Sequence, residues 1–139
     1  MKRVTLDTNI LISGTFWTGD SFRILDLIDK KEIICILSRD IINEYDRIIA
    51  SKEIIEKIEN QALISSKAVQ RVISDSDMIE PKIRLNIIKE DPSDNMILEC
   101  AKEGNADFII TNDNHILKQK EFEVIKIITP SEFLKQTGL

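Results

Sequence analysis

Apolar residues fall along this chain in two rhythms, short runs and longer stretches at helical spacing. Val4 and Leu6 alternate with Arg3 and Thr5, which predicts a strand over 3–7. The apolar run Ile10-Leu11-Ile12 follows, but Asp7, Thr8 and Asn9 intervene, three polar side chains at the edge of a core. Phe22, Leu25 and Ile28 share a face, so 21–32 is expected to be a helix capped by Asp20 or Ser21. "IICIL" (33–37) predicts a buried strand. Ser38 suits a cap for a helix carrying Ile41, Ile42, Tyr45, Ile48 and Ile49.

An amphipathic stretch from Glu53 to about Ile73 predicts one or two antiparallel helices, broken near Ser65-Ser66. Pro81 interrupts the next segment, with a short strand near Met78–Ile79. "SDNMILECAKEG" (93–104) predicts a helix capped by Ser93 or Asp94 and ended by Gly104. "DFIIT" (107–111) and "VIKIIT" (124–129) predict strands, "NHILKQK" a short helix, and Pro130 the start of a last one. Strands alternating with helices imply an α/β fold whose parallel sheet is covered on both faces. With 139 residues, no internal repeat and no long linker, one domain over 1–139 is expected.

The composition, 42% hydrophobic and 31% charged with 4 Gly and 3 Pro, is that of a globular chain. A formal charge of −5 argues against a general nucleic-acid coat, while allowing a local basic rim. No apolar segment approaches the roughly 20 residues needed to span a bilayer. Lys2-Arg3 leads straight into the first strand, so a cytoplasmic protein without membrane contact is expected. Cys35 and Cys100 lack Cys or His neighbours at ligand spacing and are read as small core residues.

Active sites of open parallel sheets lie at the carboxyl ends of the strands. Asp7 ends the first strand, Asp113 follows "DFIIT", and Asp94 opens the helix feeding that strand. Glu44, nearly two turns into its helix, can lean toward the same edge. Four carboxylates from distant segments would repel one another without a cation. Carboxylates and water, without His or Cys, suit Mg²⁺ or Mn²⁺ better than zinc. Asn9 and Thr111 are placed to hydrogen-bond these carboxylates.

In order along the chain, "VTLDTNILIS", "LSRDIINEYDRII", "EDPSDNMILECAKEGNADFIITNDNHIL" and "IKIITPSEFL" resemble PIN-domain ribonucleases, nearest the toxins of toxin–antitoxin pairs. The family's acidic quartet falls on Asp7, Glu44, Asp94 and Asp113, and its polar helpers on Asn9 and Thr111. The resemblance implies a three-layer α/β/α sandwich and Mg²⁺- or Mn²⁺-dependent cleavage of single-stranded RNA. It also implies a cognate antitoxin and a homodimer, for which the apolar face of 54–73 is the candidate surface.

"GNAD" lengthens a turn that is shorter in many members. Asp91 and Asp107 are assigned to a turn and a strand start, and His115 either touches a phosphate near the cleft or is a loop or helix-start residue without chemical duty. The loop "GTFWTGD" (14–20) holds Phe16 and Trp17, which either stack on a base or cover the core. Arg39, Arg47, Lys89 and Lys118 could offset the acidic charge. The competing functions are a non-catalytic RNA-binding or scaffold module and a Mg²⁺-dependent phosphatase. The phosphatase would want an acid where Asn9 stands, and a receiver domain would want an acidic pair near the first loop.

Overall fold

Residues 1–16, 19–51 and 70–139 are described in a computed structural model. The elements run β1 (Arg3–Leu6), α1 (Thr8–Phe16), α2 (Asp20–Asp29), β2 (Ile34–Ser38), α3 (Arg39–Ile49) and β3 (Asp77–Ile79). After these come α4 (Asn95–Glu103), β4 (Phe108–Ile110), α5 (Asn114–Leu117), β5 (Glu121–Phe122), β6 (Ile125–Ile128) and α6 (Pro130–Thr137). The strands form one sheet in the order β3-β2-β1-β4-β6-β5, parallel except for β5 against β6.

That order creates a switch point. From β1 the chain moves outward through β2 and β3, then returns to place β4 on the other side of β1. Val4 pairs with Phe108 and Leu6 with Ile110, so both strands end level with each other. The crevice beyond their carboxyl ends is where such sheets bind ligands. Val4, Leu6, Ile36, Ile109 and Ile110 are fully buried, as expected of parallel strands covered on both faces. No described helix is long and apolar enough to cross a membrane.

Residues 8–16, partly read as a loop, form α1. The Asp7 carbonyl accepts the Ile10 N–H at 2.9 Å, which turns the chain into a helix directly after β1. Gly14 belongs to this helix because α2 lies against it: a Cβ there would sit 2.1 Å from Leu25 Cδ1. The buried face of α2 is Ile24, Leu25 and Ile28, while Phe22 is 40% exposed. The apolar stripe is therefore rotated from the one expected, because Leu25 must fill the notch at Gly14. Neither Asp20 nor Ser21 caps α2; Gly19 precedes it at φ 125° without a side-chain bond.

Ser38 caps α3 as expected, accepting the Ile41 N–H at 3.3 Å. The Thr129 hydroxyl accepts the Glu132 N–H at the start of α6. The helical expectation for 53–73 falls largely outside the described residues, as do Trp17 and the side chain of Phe16. From 70 to 75 the chain is helical, and Val72 is fully buried. Gly104 follows α4 at φ −86°, so its need is space: a Cβ would meet Ile36 Cγ2 at 2.4 Å. The extra residue of the turn, Asn105, takes the left-handed conformation at φ 53°. Val124, expected in a strand, is 92% exposed in the β5–β6 turn.

Candidate functional site

Asp7 sits at the switch point, 5% exposed, with its N–H donating to the Ile110 carbonyl at 3.1 Å. The fully buried Thr111 hydroxyl donates to Asp7 Oδ2 at 2.7 Å. The same oxygen accepts the Asp113 N–H at 2.9 Å, so one hydroxyl fixes one acid and the backbone of another. Burial pushes the Asp7 carboxyl above the ordinary carboxylate range, with Asp113 and Glu44 adding to the rise. Thr111 and the Asn9 backbone N–H oppose it.

Asn9 thus reaches Asp7 through its backbone, while its side chain is exposed. The neighbouring Thr8, passed over in the sequence, is buried and donates to Glu44 Oε2 at 3.1 Å. Its place at the first position of α1 puts its hydroxyl in reach of α3. Glu44 itself is half-buried.

Asp94 holds the N-cap position of α4 but makes no side-chain cap bond. A short 3₁₀ turn, Pro92–Asp94, precedes α4, and Asp91 caps that turn by accepting the Ser93 N–H at 3.1 Å and the Ser93 hydroxyl at 2.6 Å. Asp91 therefore serves the turn, as expected, and frees the Asp94 carboxylate. Asp94 Oδ2 is buried and accepts no hydrogen bond among the described residues. Burial, then Asp113, Asp91, Asp7 and Glu44, push its carboxyl up to about 7. A buried oxygen without a donor, among acids that all disfavour its charge, fits a divalent cation.

Next to Asp94, Asn95 is 2% exposed and ties down the preceding strap. Its Oδ1 accepts the N–H groups of Ile87 and Ile88 at 3.0 and 2.9 Å. Its Nδ2 donates to the carbonyls of Ile88 and Pro92 at 2.9 and 3.0 Å. One turn further, buried Glu99 accepts the Leu85 N–H and pairs with Arg84, which also holds Asp40.

Asp113 caps α5, accepting the His115 N–H at 2.7 Å. Asp94, Asp113 and His115 can each offer one ligand atom, all within 4.8 Å of one another. His115, not counted among the metal-binding residues from the sequence, therefore stands beside the acids. A single histidine offers no spacing pattern, and only the fold shows its place. Asp107 lies at the opposite, amino end of the strands, where it accepts the Arg3 N–H at 2.8 Å. Lys118 is paired with Glu90, while Arg39, Arg47 and Lys89 are exposed. Cys35 and Cys100 are buried and free, and burial pushes both thiols up to about 12, which makes them poor nucleophiles.

Solved structures that share this fold include two proteins of low sequence identity. VapBC2 from Rickettsia felis, bound to a DNA fragment from their promoter, has a TM-score of 0.60 at 16% identity, over 91% of this chain and 98% of that one. A protein from Pyrobaculum aerophilum has a TM-score of 0.63 at 14% identity, over 99% of this chain and 90% of that one. No curated protein matches the chain. The PIN domain family matches residues 3–115, a span that starts in β1 and takes in Asp7, Glu44, Asp94 and Asp113, so the chain belongs to the PIN-domain family.

Proposed function

We propose that this PIN domain is a Mg²⁺- or Mn²⁺-dependent endoribonuclease acting on single-stranded RNA, and the toxin of a toxin–antitoxin pair. PIN domains are generally nucleases, which supports this reading over a phosphatase or a receiver domain. The observation that carries the proposal is Asp94: a buried oxygen without a donor among the described residues, crowded by four other carboxylates. A module that only bound RNA would have no use for such repulsion, and would gain from Asn at one of these positions.

Asp7, Glu44, Asp94 and Asp113 are the residues proposed to hold the ion and act in catalysis. An ion bound there supplies positive charge at the phosphate and lowers the pKa of water. The chain's own part is to hold the acids in place. Thr111 locks Asp7 and the Asp113 backbone, Thr8 steadies Glu44, and Asp91 releases Asp94 from capping. Glu44 is the half-buried acid assigned to receive a proton from the attacking water.

Similarity to VapBC2 supports a cognate antitoxin as partner. A homodimer and a cytoplasmic location complete the proposal. Incubating the metal-free protein with unstructured RNA, with Mn²⁺ and with Mn²⁺ plus excess EDTA, tests the activity. Cleavage only in the first is expected; cleavage equal in both, or in neither, refutes it. Host growth on expression alone, against expression with the antitoxin gene, tests the toxin role.

A further inference from the structure

We propose that His115 is a ligand of the divalent ion and makes this site favour Mn²⁺ over Mg²⁺, an inference that rests on the metal-dependent function proposed above. Asp94, Asp113 and His115 bring one ligand atom each to within 4.8 Å of one another. The ring is placed there by the backbone. Asp113 closes the turn after β4 by accepting the His115 N–H, which sets the imidazole beside the carboxylate that made the bond. His115 Nδ1 lies 3.9 Å from Asp113 Oδ1, too far for a hydrogen bond. Asp113 Oδ1 already accepts the His115 N–H, so it is the ring nitrogen that is left for a third partner.

The surrounding charges leave few other duties for the ring. Glu90 also faces it, but Lys118 already pairs with Glu90. In the same 4.8 Å group stands Asp94, whose buried Oδ2 accepts no hydrogen bond among the described residues. A cation between Asp94, Asp113 and the ring answers all three at once. Mg²⁺ holds to oxygen ligands, whereas an imidazole nitrogen is a better ligand for first-row transition ions. Two carboxylates and one imidazole therefore shift the preference to Mn²⁺.

The test is metal binding, read apart from cleavage. Metal-free wild type and His115→Gln are titrated with Mn²⁺ by electron paramagnetic resonance and with Mg²⁺ by calorimetry, and pulsed measurements on the Mn²⁺ complexes look for nitrogen coupling. The side chain is 49% exposed, so Gln is tolerated by the fold. Nitrogen coupling is expected in wild type and not in the variant, which should bind Mn²⁺ about 10-fold more weakly and Mg²⁺ equally well. Mn²⁺ bound without nitrogen coupling, or with equal or higher affinity in His115→Gln, overturns the inference and leaves the metal-dependent function standing. Wild type that binds neither ion overturns both.

Discussion

The Thr111 hydroxyl donates to the Asp7 carboxylate at 2.7 Å, joining two residues 104 positions apart in the chain. The bond exists because β1 and β4 are neighbours at the switch point and end level. Thr111→Val keeps the shape and removes the hydroxyl, leaving a buried carboxylate short of a donor. It should cost about 1–3 kcal/mol in urea unfolding and lower RNA cleavage by roughly 10–100-fold. Thr111→Ser should restore most of both, and a Val variant with wild-type cleavage would remove Thr111 from the site.

Asp94 should make the metal-free protein less stable as pH rises. Its folded pKa, about 7, lies above the ordinary 3.8, so the folded state holds the proton more tightly than the unfolded chain. The resulting stability is fully present below about pH 4 and is lost as pH rises through about 7. Asp7, also raised, acts in the same direction. Asp94→Asn should flatten this part of the profile and melt about 3 °C above wild type at pH 8 without metal, while abolishing cleavage. Melting curves from pH 4 to 8 in EDTA decide it, and equal slopes for the two proteins would contradict the assignment.

Divalent ions should reverse that loss. An ion that binds only the folded state at 100 times its dissociation constant adds about 2.7 kcal/mol. At pH 8, saturating Mn²⁺ should raise the melting temperature of wild type, and EDTA should return it to baseline. Asp113→Asn, which lacks one acid of the 4.8 Å group, should show a much smaller shift. An undiminished shift would place the ion elsewhere.

Alternation and helical spacing are local signals, and they were enough to outline β1, β2, β4, α3 and α4 and to bring four acids to one edge. Roles set by contacts across the fold were not legible. Gly14 looks like a loop residue until Leu25 is seen filling the space above it. Phe22 looks like core, yet only the angle of α2 to α1 decides that Ile24 is buried in its place. Ser93 and Asp94 are interchangeable as caps on paper, and the 3₁₀ turn leaves Asp94 at the start of α4 without a side-chain cap bond. Asn9 and Thr8 differ by one position, and the direction of the first turn of α1 sends the hydroxyl to Glu44. His115 became a candidate metal ligand only when the turn after β4 set it beside Asp94 and Asp113.

Asn95 offers a separate route to the same site. Its amide makes four bonds to the backbone of Ile87, Ile88 and Pro92, and so fixes the strap that enters the Asp91–Asp94 turn. Asn95→Ala would leave two N–H groups and two carbonyls to find water, at a cost of about 3 kcal/mol. Asn95→Asp keeps the acceptor for the two N–H groups but loses both donors, and adds a charge next to Asp94. Hydrogen exchange should therefore accelerate at Ile87 and Ile88 in the Ala variant and stay slower in the Asp variant. Cleavage should fall in both, since the first loosens the turn that aims Asp94 and the second adds repulsion beside it. Fast exchange at Ile87 and Ile88 in Asn95→Ala with undiminished cleavage would show that the strap does not position Asp94.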